Sequence, residues 1–89
     1  MYKEELVKQS VSIKLFASLR QAMNSDEIKI DLDNEITILQ MKMILFENFP
    51  NLEKSNIPFY VAVNHKYVTD SDVITTNDEI ALIPPVSGG

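Results

Sequence analysis

A chain of 89 residues with a formal net charge of −5 and a pI near 4.6 is one acidic domain with a modest core. That charge balance argues against a nucleic-acid partner, which needs a basic face, and suits proteins with basic docking surfaces. The chain has no cysteine, which excludes disulfides, thiolate metal sites, a catalytic thiol and a cysteine persulfide; a single histidine, His65, excludes any pair of imidazoles.

The start, Met1-Tyr2-Lys3-Glu4-Glu5, is charged and unlike a signal peptide, and no apolar run nears membrane-spanning length. A cytoplasmic protein with no membrane partner is the resulting expectation. Residues 1–10 precede any pattern and read as a mobile or loosely attached extension. Val11, Ile13 and Leu15 then alternate with Ser12, Lys14 and Phe16, the period of a half-buried strand. Residues 17–23 predict one helical turn. Ile28, Ile30 and Leu32 alternate again, and Asp33-Asn34 ends this second strand.

Thr37 followed by Gln40 fits a capping box, in which hydroxyl and amide each satisfy a backbone N–H of the other. Ile38, Met41, Leu45 and Phe49 form one helical stripe, and Leu39, Met43 and Phe46 form a second beside it. The ordinary reading of this wide apolar arc is a broad core contact; the sharper one is that part of the second stripe meets a partner. Lys42 interrupts the first stripe and can raise its ammonium to water while its stem packs. Pro50 stops the helix at Phe49, and residues 51–58 read as a polar loop.

Residues 59–63 are strand-like, and Tyr67-Val68 continues after a turn at Asn64-His65. His65 is accordingly an exposed turn residue. A turn at Asn77-Asp78 precedes Ile80 to Ile83, whose nearly continuous apolar run predicts a central strand buried on both faces. Two strands, one helix and further strands make an α+β protein with a domain over 11–83. If the last strand lies parallel beside the first, the mixed sheet follows the β-grasp plan.

The end of the chain is its least ordinary part. Pro84 and Pro85 fix φ and favour a stiff extended stem, and Val86, Ser87, Gly88 and Gly89 follow. Extended, residues 84–89 reach about 20 Å. Glycine averages about 7% of residues, so two terminal glycines by chance come to about 0.5%. This chain has two glycines, and both are terminal. A stiff stem with a tip lacking side chains suits threading a carboxylate into a narrow channel. A carboxylate is unreactive until activated, for instance as an acyl-adenylate; from the residues alone, such a tail could carry sulfur as a thiocarboxylate or conjugate to an amine.

Phe16-Ala17 with Arg20, Thr37 with Ile38 and Met41, Phe49-Pro50, Val61-Ala62-Val63-Asn64, Tyr67-Val68 and the run from Asp78 to Gly89 resemble the MoaD/ThiS family of ubiquitin-like sulfur carriers, and within it the molybdopterin synthase type. The resemblance covers about residues 11–89; the N-terminal extension and His65 depart from the pattern. It implies a β-grasp fold and a sulfur-donor subunit that is not an enzyme alone. An adenylating partner holding ATP and Mg²⁺ would activate Gly89, and a persulfide donor would leave a thiocarboxylate there. The large catalytic subunit of the synthase would receive the tail in a heterotetramer of two small and two large subunits. Sulfur would pass to cyclic pyranopterin monophosphate, forming the molybdopterin dithiolene of the molybdenum cofactor. Gly88 would supply slimness and Pro84 and Pro85 stiffness, with no cofactor or metal bound by this chain. Other pathways open to such a carrier are thiamine thiazole formation, tRNA thiolation and protein modification; a different class altogether is an interaction module with an inert tail.

Strand parity adds a surface. With Val11, Ile13 and Leu15 facing the helix, Phe16 faces away, as do Tyr67 and Ile83 opposite Val68 and Leu82. These three residues would share the open sheet face near the tail, where the family's matching positions meet partner proteins. Arg20 is a further candidate, for orienting the first loop or pairing with a partner's acid.

Overall fold

The computed structural model describes residues 9–32 and 34–85. In chain order it contains β1 (Gln9–Leu15), α1 (Ala17–Met23), β2 (Glu27–Leu32), β3 (Ile36–Thr37), α2 (Ile38–Asn48), α3 (Pro50–Lys54), β4 (Tyr60–Val63), β5 (Lys66–Tyr67), β6 (Val73–Ile74) and β7 (Ile80–Ile83). Five strands form one sheet in the order β2-β1-β7-β4-β5, and β3 pairs with β6 in a second, two-stranded sheet. β7 runs parallel to β1 and antiparallel to β4, so the last strand is central. This is the mixed sheet and single main helix of the ubiquitin-like β-grasp fold.

The alternation of β1 and β2 is realised as pairing of like with like. Val11 stands opposite Ile30 and Ile13 opposite Ile28, all within the core. β1 begins at Gln9, opposite Leu32, so the ladder starts two residues before the apolar alternation does. The expected state of residues 1–8 lies outside the described residues. Met41 and Leu45 of α2 and Leu19 of α1 complete the same cluster with Leu15, Val61, Ile80 and Leu82. Each such side chain, fully withdrawn from water, contributes about 1.5–3 kcal/mol before entropy is counted.

The capping box at the start of α2 forms as expected. The Gln40 N–H donates to Thr37 Oγ1 at 3.1 Å, and the Thr37 N–H donates to Gln40 Oε1 at 2.9 Å. The remaining first-turn donors find partners from another loop. Ile38 N–H donates to the Asp72 carbonyl at 2.8 Å, and Leu39 N–H to the Asp70 carbonyl at 3.1 Å. Lys42 reinforces this junction: its ammonium pairs with Asp70 Oδ1 at 2.7 Å and lies 6.0 Å from the Phe59 ring centroid. A helix N-terminus otherwise leaves these N–H groups unsatisfied, so residues 69–72 finish α2 from outside.

Four expectations need correction. Residues 51–58 are not wholly loop, because α3 occupies Pro50–Lys54 with Leu52 buried. Pro50 ends α2 and also opens α3, at a helix position whose N–H would have no partner anyway. Residues 17–23 make a seven-residue helix rather than one turn, closed by Asn24 in the left-handed conformation. The second stripe of α2 splits: Phe46 packs against the core, whereas Leu39 and Met43 are exposed. β7 is central but buried on one face; Ile80 and Leu82 are enclosed while Ala81 and Ile83 are half-exposed. Among the described residues, no strand covers that second face.

Candidate functional site

The open face can be read strand by strand from the register. Glu27 faces Lys14, Lys14 neighbours Ala81, Ala81 faces Ala62, and Ala62 faces Tyr67. One row across the sheet therefore passes from charge on β2 and β1 to apolar side chains on β7, β4 and β5. In the next row Tyr60 faces Ile83. Phe16 follows Leu15, which pairs with Leu82, so its place is beside Ile83. The charged side stays solvated, and the apolar side is left bare.

Phe16, Tyr67 and Ile83 do line one hollow of about 310 Å³, together with Ala62 and Ala81 and a charged margin of Lys14, Glu79 and His65. Tyr67 is 68% exposed and Phe16 45% exposed, which is high for rings of this size. Tyr60 belongs to the same patch and was missed from sequence. Its ring meets that of Tyr67 edge-on, with centroids 5.7 Å apart and planes at 61°. The alternation of β4 carried the signal, because Tyr60 and Ala62 share a parity opposite to buried Val61. Such a pair offers broad apolar area with hydroxyls at its rim, the character of interface centres.

The margin is tied to the turns around β7. Asn64 and His65 both have positive φ, 52° and 71°, as a two-residue hairpin requires. Asn64 earns its position through three bonds: its N–H donates to the Glu79 carbonyl at 2.8 Å, its Nδ2 to Asp78 Oδ1 at 3.0 Å, and its Oδ1 accepts from Glu79 N–H at 2.9 Å. Glu79 lies 3.7 Å from Lys14 Nζ and 3.5 Å from His65 Nε2. All three side chains are at least half exposed, so these contacts orient charge more than they stabilise. His65 is thus an exposed turn residue.

Arg20 sits on α1 beside a neighbouring hollow lined by Phe16, Asp26 and Glu27, and it makes no ion pair among the described residues. Its backbone N–H donates to the Phe16 carbonyl at 3.4 Å. Between them, Ala17 holds φ at 52°, a left-handed value that costs a residue with a Cβ about 1–2 kcal/mol. The kink turns the chain from β1 into α1 immediately after Phe16 in the sequence.

Of the expected stem over residues 84–89, Pro84 and Pro85 are described, the first enclosed and the second open to solvent. Val86, Ser87, Gly88 and Gly89 lie outside the described residues. Among the described residues there is no buried polar or charged side chain, and no group of three or more His, Asp or Glu placed to hold a metal.

Comparison with known proteins gives this geometry its context. The ThiS family model matches residues 13–89. The molybdopterin synthase sulfur carrier subunit of Dictyostelium discoideum is 40% identical over 80 residues, covering 86% of this chain and 93% of that protein. Its namesake from Arabidopsis thaliana is 35% identical over 82 residues, covering 90% and 85%. Among solved structures, SAMP1 from Haloferax volcanii aligns with a TM-score of 0.77 at 30% identity, covering 90% of this chain and 99% of that one. A complex of subunits 1 and 2 of molybdopterin-converting factor from Helicobacter pylori contains a chain matched with a TM-score of 0.62, covering 91% and 100%; at 21% identity it supports the fold alone. With a family model matched from inside β1 through to residue 89, and relatives similar over nearly their whole length, this chain belongs to the ThiS family.

Proposed function

We propose that this chain is the sulfur-carrier subunit of a molybdopterin synthase. The observation that carries the reading is the 40% identity to a carrier of that name over 93% of the latter's length. In this role the Gly89 carboxylate attacks the α-phosphate of ATP in an adenylating partner, with Mg²⁺, releasing pyrophosphate. The terminal sulfur of a donor persulfide then displaces AMP from the acyl carbon. A thiol cleaves the resulting sulfur–sulfur bond and leaves a thiocarboxylate. The large catalytic subunit receives the tail, and the sulfur passes to cyclic pyranopterin monophosphate on the way to the dithiolene.

This chain's own contributions are positional. Gly88 and Gly89 pass where a Cβ would not, Val86 and Ser87 span the channel, and Pro85 restricts the exit direction. Pro84, packed against the body, fixes the stem to the central strand. Phe16, Tyr67 and Ile83, with Tyr60 beside them, form the apolar centre that docks on the partner, and Arg20 pairs with an acid at its edge. Two small and two large subunits form the working assembly, in the cytoplasm; among the described residues no helix is long and apolar enough to cross a membrane.

Intact-mass measurement tests this reading. Incubated with its adenylating enzyme, ATP and a sulfide source, the chain should exchange one oxygen for sulfur at Gly89, and a chain lacking Gly89 should not. An unchanged mass in the full-length protein overturns the reading. The 30% identity to SAMP1, a small archaeal modifier protein, favours one second reading, conjugation to protein amines. That outcome would appear in the same experiment as lysine-linked adducts in place of sulfur exchange.

A further inference from the structure

A second concavity lies along α2, on the helix side of the sheet. It measures about 590 Å³, against 310 Å³ for the hollow on the open face. Gln40, Ile44 and Glu47 follow one another at helical spacing on α2 with Met43 beside them, Ile36 of β3 lies at one end, and Phe46 and Glu53 close the side toward α3. Met43 is 63% exposed, and Leu39, one turn before it, is exposed too. The floor is thus apolar and, among the described residues, unpartnered.

Its walls carry one sign of charge. Glu47 and Glu53 make no ion pair among the described residues, and no cation lines the groove. Gln40 commits its Oε1 to the capping box, which leaves its amide N–H groups to donate elsewhere. Phe46 is braced edge-on against Phe59 at 6.4 Å between centroids, so this wall is held in place. Met43 supplies an adaptable thioether at the centre. An apolar floor between two unpaired carboxylates complements an apolar anchor flanked by cations.

We propose that this groove docks a cationic amphipathic segment of another protein, its aliphatic or aromatic anchor on Met43 and Ile44 and its Lys or Arg side chains against Glu47 and Glu53. Because α2 covers the sheet face opposite Phe16 and Tyr67, the groove stays open while the tail side is engaged. The chain can then be held by one protein and used by another.

The test uses the full chain with its methionine methyl groups labelled with ¹³C and its backbone amides with ¹⁵N. The probe is a synthetic amphipathic helix with Leu and Phe on one face and Lys on the other, beside a control with Glu replacing Lys. The Lys peptide should shift the Met43 methyl resonance saturably and leave the Phe16 and Tyr67 signals in place. Met43→Glu, which removes the reporter methyl and is therefore read from the Ile44 and Glu47 backbone amides, should abolish binding, and the double variant Glu47→Gln, Glu53→Gln should weaken it about 3- to 10-fold, as two partly exposed charge pairs would. Amide fingerprints confirm that these surface variants fold. Three outcomes each overturn the proposal: equal binding of the two peptides, binding that survives Met43→Glu, or a Met43 shift on raising protein concentration alone, which would mean a second copy fills the groove.

Discussion

Leu82 and Ile83 are neighbours in β7, yet Leu82 is fully buried in the core while Ile83 stands half-exposed on the open face. The same contrast runs through β4, where Val61 is enclosed and Tyr60 is not. On the helix side the sheet presents aliphatic chains that meet Met41, Leu45 and Leu19. On the open side it presents rings at β4, β5 and Phe16, and charge at β1 and β2. One set of strands therefore holds the domain together with one parity and, with the other, exposes the surface proposed above for docking. Mutations on the two sides should separate stability from recognition.

Leu82→Ala probes the stabilising side hardest. A cavity in the central strand should cost about 2–5 kcal/mol, a large share of a small domain's stability, read by urea denaturation. If that variant fails to fold, Ile80→Val should still show a loss of about 0.5–1.5 kcal/mol. Tyr67→Ala should do the reverse. Losing its ring contact with Tyr60 should lower stability by about 1 kcal/mol at most. Docking on the large subunit, measured by calorimetry, should weaken about 30-fold, as expected for an aromatic anchor worth about 2 kcal/mol. A variant that lost stability and kept affinity would break the division between faces.

Ala17→Gly gives the smallest effect and should have the opposite sign. Glycine removes the cost of the left-handed backbone but adds freedom to the unfolded chain, for a net gain of about 0.5–1 kcal/mol. The midpoint of thermal unfolding should rise by several degrees. If the kink only positions Phe16, docking affinity stays unchanged.

What was legible before the structure was whatever is encoded locally. The alternation of residues 11–15 and 28–32, the Thr37–Gln40 box and the Asn64-His65 turn each rest on neighbours within a few positions. The Pro50–Lys54 helix was missed because proline was read as a stop, although it equally suits a helix start; Leu52, alone in a polar stretch, was the available sign. β3 and β6 are two residues each, too short for any period, and exist because Ile36 and Ile74 meet across the fold. The open face was legible as parity, with Phe16, Tyr67 and Ile83 on one side. Tyr60 obeys the same parity and was overlooked. Whether Leu39 and Met43 would be covered depended on elements far away in the chain, which periodicity does not report.

The parallel pairing of β1 with β7 bears on how the molecule is made. Ile13, Lys14 and Leu15 find their β7 partners more than sixty residues later in the chain, so the sheet closes only after β7 has left the ribosome. Pairing over such distances slows folding. It also imposes an order of events: β7 takes its place only once β1 and β4 are there to receive it on either side.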